Sequence, residues 1–363
     1  MINCRVKAIA PRSKRFHERE KDLGPTNADF AEWLALEAEE ASGHLHRALR
    51  RASRAAFLWP REVIDLVNED ESLQQLSGVG PYLERMLKRW CEAPPPLVRP
   101  PLLRRDFMTL AAARKVLAQN PNWKMQYKGD LQMHSTWSDG AGSIAGMAQA
   151  AQKLAYEYIG ITDHSEGLKI AGGIGAADLA KQAKEIEALN AKFESGRKKF
   201  RVLKSIEMNL SPDGSGDMDA KCLGKLDLVV GSFHSRLRVT EDQTARYLAA
   251  IRNSHVNILG HPRGRIYNHR LGLKADWARV FAEAAKLDKA VEVDSYPDRQ
   301  DLNLALLKIA KKEGVRIAID TDAHAPEQLG WAELGLATAM LAKIPAERVV
   351  NFMAVEELLK WAR

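Results

Sequence analysis

Apolar positions recur along this chain in two rhythms. Between residues 27 and 91 they fall at helical spacing, in "NADFAEWLALEAEEA", "HLHRALRRASRAAFL", "REVIDLVNE" and two short segments around "LSGVGPYLERMLKRW". Pro60 stops one of these helices, because it lacks a donor and restricts the residue before it. Residues 92–105, "EAPPPLVRPPLLRR", contain five prolines and read as a stiff linker, followed by a helix at about 106–118. From residue 129 the rhythm changes. Short apolar runs at 130–133, 158–162, 201–206, 226–231, 256–259, 290–293 and 315–319 alternate with amphipathic stretches such as "AADLAKQAKEIEALNAKF" and "LNLALLKIAKKEG". Strands alternating with helices predict parallel βα units, and seven such strands are enough to close a barrel. The expected organisation is a loose tail over 1–26, a small all-α domain over 27–91, a linker and helix over 92–128, and an α/β barrel over 129–363.

Composition narrows the class without choosing a chemistry. With 45% apolar and 28% charged residues the 363-residue chain reads as a soluble globular protein. No run approaches the length of a transmembrane helix, and the basic start lacks the apolar centre of a secretory signal. Cys4, Cys91 and Cys222 are isolated, which argues against a disulfide framework or a zinc finger and makes a reducing cytoplasm the expected compartment. The net charge of +7 is unevenly placed: residues 1–128 hold 22 Lys and Arg against 16 Asp and Glu, and the remainder 32 against 31. The excess in the first third fits either a polyanionic partner or a solubilising surface.

Metal-ligand residue types then appear at one place on successive βα units. Gln132 and His134 close the first apolar run, with Asp139 just beyond in "GDLQMHSTWSDG". His164 follows the second in "GITDHS", and Glu207 ends the third in "IEMN". His234 follows the fourth in "VVGSFHS", His261 the fifth in "NILGHP", and Asp322 and His324 the seventh in "IAIDTDAH". The carboxyl ends of barrel strands open onto one face, so these groups are expected to converge. Asp322 and His324, two residues apart, are expected to share a strand face, as are Gln132 and His134. Imidazole and carboxylate suit zinc, manganese or iron, and the absence of cysteine argues against a structural zinc. Nine candidates are too many for one ion and suit two or three divalent ions, which together activate water and stabilise both oxygens of a phosphoryl transfer. After His261 come Arg263, Arg265 and Arg270, guanidinium groups suited to phosphate, with Arg265 the one expected nearest the substrate. His255 and His269 fall outside the strand-end register.

The ordered motifs "DLQMHSTWSDG", "GITDHS", "IEMN", "FHS", "GHP" and "TDAH" resemble the PHP (polymerase and histidinol phosphatase) domain over residues 129 to about 358. The resemblance implies a distorted seven-stranded βα barrel, up to three bound metals and phosphoesterase activity, with Glu207 as bridging carboxylate and the other eight residues as remaining ligands. "GHPRGRIYNHR" and "EVDSYPDRQDLN" are most similar to the PHP domain attached to bacterial family X DNA polymerases. Gln132, a weaker donor than imidazole, would lower metal affinity or shift metal preference.

In the first third, "LQQLSGVGPYLERML" has helix-hairpin-helix spacing, in which Gly78 and Gly80 allow a tight turn that exposes N–H groups to a phosphate. Upstream, Arg47, Arg50, Arg51 and Arg54 form one basic helix face, with Leu45, Leu49 and Ala52 or Ala56 on the buried side. Residues 27–91 resemble the N-terminal DNA-binding domain of family X polymerases. The segment 92–128 leaves no room for a palm and fingers, and the family's lyase lysine falls on Met86, which cannot form a Schiff base; neighbouring Lys88 is not a safe substitute. The expected activity is metal-dependent hydrolysis at DNA 3′ ends or abasic sites, of 3′–5′ exonuclease, 3′-phosphatase or AP-endonuclease type, with glutamate, His234 and Arg265 at the reaction centre. A small-molecule phosphatase of histidinol-phosphate type and a DNA-binding scaffold with a vestigial barrel are the alternatives.

Overall fold

A computed structural model describes residues 24–96, 99–196 and 199–363, so nearly all of the expected tail lies outside the described residues. The chain divides into two compact units, Met1–Arg99 and Pro100–Arg363.

In the first unit, helix α1 (Asn27–Glu40) begins with a capping box, in which Thr26 Oγ accepts from Asp29 N–H and the Asp29 carboxylate accepts from Thr26 N–H at 2.8 Å. Helix α2 (Gly43–Ala55) buries Leu49, Ala52 and Ser53 and leaves Arg47, Arg50, Arg51 and Arg54 exposed. Leu45, expected on the buried side, is 39% exposed. Ser53 is buried in its stead because its hydroxyl donates to the Ala31 carbonyl at 2.8 Å. Helices α3 (Val63–Asn68) and α4 (Pro81–Glu92) flank the Gly78-Val79-Gly80 turn. Gly78 has φ +80°, which glycine adopts without the usual penalty, and a side chain there would point at Ala52 and Ala55 of α2. The turn therefore packs against the helix that carries the arginine stripe. Gly80 is extended and hands over to Pro81 at the first helical position. Phe30, Trp33 and Trp90 form the centre of the unit, with ring centroids 5.4 to 6.5 Å apart.

The second unit is a barrel of seven parallel strands in sequential order: β1 (Gly129–Asp130), β2 (Tyr158–Ile161), β3 (Arg201–Asn209), β4 (Leu228–Ser232), β5 (Ile258–Leu259), β6 (Ala290–Asp294) and β7 (Arg316–Asp320). Each overlaps an apolar run read from the sequence, β1 by Asp130 alone. β1 and β5 are shorter than expected, and β3 extends to Asn209. Its first half pairs with β2 and its second half, from Ser205, pairs with β4. The change of partner carries β3 beyond the end of β2. No ladder joins β7 to β1; past the strand ends a bridge between Met133 and Ala323 closes the circle, with His134 N–H donating to the Ala323 carbonyl at 2.8 Å.

Alternation along the strands sorts the interior into layers. On β3, β4, β6 and β7 the inward series runs Leu203–Ser205–Glu207, Val230–Ser232, Ala290–Glu292–Asp294 and Ala318–Asp320. The residues between them, such as Ile206, Val229, Val291 and Ile319, join the apolar layer under the helices. At the amino-terminal end the interior is apolar, plugged by Val350, Met353 and Leu358; at the carboxyl end it is polar and charged. Helices Leu110–Leu117 and Pro121–Met125 belong to this unit, where Trp123 Nε1 donates to the Leu336 carbonyl at 3.1 Å. Among the described residues no helix is long and apolar enough to cross a membrane.

Candidate metal centre

Glu207 sits at the polar end of the barrel with no exposed surface, and side chains from both of its neighbouring strands and from across the barrel turn toward it. Its Oε1 lies 2.8 Å from His261 Nε2, 3.2 Å from Gln132 Nε2 and 3.4 Å from His234 Nε2. Its Oε2 lies 2.8 Å from His164 Nδ1 and 3.7 Å from His134 Nε2. A second knot forms around Asp139, whose Oδ1 is 3.5 Å from His324 Nε2, 3.6 Å from His164 Nε2 and 3.9 Å from His134 Nδ1. Asp322 Oδ1 joins the two at 2.9 Å from His134 Nε2. All nine residues singled out by strand-end register therefore meet in one cluster.

Their local support differs from the simple strand picture. Asp322 and His324 do not share a strand face: β7 ends at Asp320, and Asp322 has φ +51°. The two converge because His324 Nδ1 meets the Asp322 carbonyl at 2.7 Å and His324 N–H donates to Gln328 Oε1 at 2.6 Å. His261 also has positive φ, +22°, and its N–H is held by the Glu292 carboxylate. Such conformations cost on the order of 1–3 kcal/mol and persist only where surroundings over-determine them. The Asp139 loop is held from below by Asp163, which accepts from Ser135 N–H at 2.8 Å, Ser138 Oγ at 2.6 Å and Gln182 Nε2 at 2.7 Å. Gly140 lets that loop fold back on itself, since a Cβ there would stand 2.5 Å from the His134 carbonyl oxygen.

Burial would raise the Glu207 carboxyl, but the imidazoles of His164 and His234 outweigh it and hold the group well below the usual carboxylate range. Burial acts likewise on Asp322, where Arg299 and His134 prevail and hold it down. His324 goes the other way. Burial favours its neutral form, but Asp139 and Asp322 push it up to about 9. A layer beneath carries Glu292, Asp294 and Asp320, all raised by burial, Asp320 to about 7.

The donor set fits divalent cations. Buried atoms of Gln132 (Oε1), His134 (Nδ1), Glu207 (Oε2) and His261 (Nδ1) have no hydrogen-bond partner, a costly arrangement for polar groups in a protein interior. His164 Nδ1 approaches Glu207 at 2.8 Å without hydrogen-bond geometry, as two acceptors facing a shared cation would. Among the described residues two groups have ligand atoms all within 4.8 Å of one another: His134, Asp139, His164 and His324, and His164, Glu207 and His234. Asn209 Oδ1 lies 3.2 Å from His234 Nδ1, the kind of outer contact that turns Nε2 toward a metal.

Sequence reading missed Arg299. Its Nη1 lies 3.2 Å from Asp322 Oδ2, and among the described residues it is the guanidinium paired with a carboxylate of the cluster. Arg265, expected there, is 4% exposed, and donates from Nε to the Arg299 carbonyl at 2.6 Å and from Nη2 to the Asp106 carbonyl at 2.8 Å. It supports the backbone of Arg299. The only signal for Arg299 was its place in "EVDSYPDRQDLN". Arg263 and Arg270 lie on the same loop as Arg265, half-buried, while His269 is exposed and meets Arg238 at 2.7 Å. His255 lies away from the cluster's contacts, its N–H held by Asn253 Oδ1.

A sequence profile of the PHP domain matches residues 130–322, more than half of the chain and eight of the nine clustered residues, with His324 just beyond its end. The chain belongs to the PHP domain family. It is 42% identical over 234 residues to the DNA polymerase/3′-5′ exonuclease PolX of Bacillus subtilis (strain 168), covering 64% of this chain but 40% of that relative. It is 28% identical over 228 residues to a probable phosphatase of Thermoanaerobacter sp. (strain X514), covering 61% of this chain and 89% of the relative. A solved histidinol phosphate phosphatase of Lactococcus lactis subsp. lactis Il1403, complexed with zinc, L-histidinol and phosphate, matches with a TM-score of 0.41 and 18% identity. The match covers 59% of this chain and 94% of that one. As a PHP domain protein with phosphatase and exonuclease relatives, the chain is a metal-dependent hydrolase.

Proposed function

We propose that the barrel hydrolyses phosphate esters of DNA at 3′ ends or abasic sites, as a 3′–5′ exonuclease, 3′-phosphatase or AP endonuclease. The observation that carries this reading is Glu207: a fully buried carboxylate within 3.7 Å of side-chain nitrogens from four histidines and Gln132. Two or three zinc, manganese or iron ions held by these nine residues would supply an activated water and a clamp on the phosphoryl oxygens. Glu207 holds the two parts of the cluster together, and Asp163 and Asn209 keep Asp139 and His234 in place. Arg299 takes the part first expected of Arg265, facing the developing charge on phosphorus with a guanidinium already anchored on Asp322. The exposed arginines of α2 beside the Gly78–Gly80 turn would grip a DNA backbone as a helix-hairpin-helix element does, without reading sequence.

The likeness to the Bacillus exonuclease, stronger than to the probable phosphatase, favours DNA over a small phosphate ester. A small-molecule phosphatase is the second reading, favoured by the nearly full coverage of the phosphatase relative. Product analysis on labelled DNA bearing a 3′-phosphate, a 3′-hydroxyl or an abasic site, with Mn²⁺, Zn²⁺ or Mg²⁺, tests the proposal. Cleavage of at least one DNA substrate faster than histidinol phosphate is expected; the reverse order sinks the DNA reading.

A further inference from the structure

The wall of the barrel beside Arg299 opens into a cleft of about 160 Å³ whose lining includes Arg105, Arg263, Arg265, Arg270, Leu102 and Leu271. Its near wall, residues 102–107, precedes the matched PHP segment; its far wall is the loop after His261. Asn268 N–H donates to the Leu103 carbonyl at 2.9 Å, tying the two walls together. Phe107 forms the floor under the Arg265 guanidinium, 3.8 Å from its ring centroid.

The charge here is unbalanced. Among the described residues none of the four guanidinium groups has a carboxylate within 4.0 Å. Their assigned hydrogen bonds go to neutral carbonyls: Arg105 Nε to Pro100 at 2.5 Å, Arg263 Nη2 to Leu271 at 2.7 Å, Arg265 to Arg299 and Asp106, and Arg270 Nε to Gly264. The one carboxylate in the lining, Asp106, lies 3.4 Å from Asn303 Nδ2. Burial holds the Arg265 guanidinium down to about 10, and burial together with Arg299 and Arg238 lowers that of Arg270. Four guanidinium groups face one carboxylate in the lining, with Asp301 and Asp298 acting from beyond it, and that surplus of positive charge suits an anion. Leu102 and Leu271, 63% and 47% exposed, add an apolar lip beside them. A phosphate with an attached flat, weakly polar group meets both demands.

We propose that this cleft binds a second phosphate of the substrate, one nucleotide unit away from the ester being hydrolysed, with its base against Leu102 and Leu271. The proposal rests on the DNA reading and narrows it: the preferred substrate is an oligonucleotide of at least two units. Arg299 links the two places, because its carbonyl accepts from Arg265 in the cleft while its guanidinium meets Asp322 in the cluster.

The test uses the full chain with Mn²⁺ and 3′-phosphorylated substrates of one, two and four nucleotides, with p-nitrophenyl phosphate as a substrate that cannot reach the cleft. Arg265→Ala is a poor probe because the side chain is buried, so Arg105→Ala and the exposed Leu102→Asp and Leu102→Lys serve. The wild type is expected to gain about 10-fold in kcat/KM from one to two nucleotides, equivalent to about 1.4 kcal/mol. Arg105→Ala and Leu102→Asp lose that gain, Leu102→Lys enlarges it, and turnover of p-nitrophenyl phosphate stays within about 2-fold in all three. A length dependence that survives both Arg105→Ala and Leu102→Asp overturns the cleft alone. Turnover of p-nitrophenyl phosphate without cleavage of any oligonucleotide overturns the DNA reading and the cleft with it.

Discussion

The two units treat charge differently. In the helical unit Phe30, Trp33, Leu49, Ala52 and Trp90 make an apolar centre, the buried carboxylates of Glu62 and Glu84 accept from the backbone N–H groups of Asn27 and Leu73, and the arginines at 47, 50, 51 and 54 stand in solvent. In the barrel the carboxyl end of the interior is itself polar, with His134, Glu207, Glu292, Asp294 and Asp320 all at 0% exposure. An exposed charge can wait for a partner at little cost, whereas a buried one left uncompensated costs several kcal/mol. The helical unit is therefore satisfied as it stands, while the barrel interior is built around something it must hold.

That contrast is broken most severely at Glu207. Glu207→Ala should lower hydrolysis of every phosphate ester by at least about 10³-fold, consistent with loss of several kcal/mol of stabilisation, while DNA binding measured by anisotropy stays near wild type. Retained hydrolysis would remove the cluster from the chemistry. Arg299→Ala should follow, with kcat lowered about 10²-fold, as for loss of one donor to a developing anion. If only KM rises, Arg299 orients substrate without stabilising the reacting phosphorus. The exposed charges answer a different measurement. Replacing Arg50, Arg51 and Arg54 by Ala should reduce the slope of log K against log salt by about one per arginine. Turnover of p-nitrophenyl phosphate should be untouched, and an unchanged slope would leave the stripe as a solvated face. Smallest of all, Gln132→His should tighten Mn²⁺ or Zn²⁺ binding by about 10-fold, read by titration calorimetry; an unchanged affinity would mean that Gln132 touches no ion.

The barrel and its nine clustered residues were legible because each ligand type follows an apolar run, and parallel βα units send the ends of those runs to one face. The reading failed where the chain leaves the regular strands. Asp322 reaches His134 from a left-handed backbone conformation, so the two-residue periodicity invoked for it had no bearing. Arg299 follows the irregular turn after β6, and its reach to Asp322 depends on Arg265 holding its carbonyl, a contact that no spacing encodes. Leu45 obeyed helical periodicity but lies near the start of α2, where Ser53, farther along, found a carbonyl to bury against.

The barrel's seam lies next to its chemistry. β7 and β1 share no ladder, and the circle closes at Met133 and Ala323, each next to residues of the cluster: Gln132 and His134 on one side, Asp322 and His324 on the other. Any ion gripped jointly by His134 and His324 would act as a clasp across the joint. Loading the site would then be read far from any substrate, as slower hydrogen exchange of His134 N–H and of the β7 amides, with β3 and β4 on the opposite wall little changed.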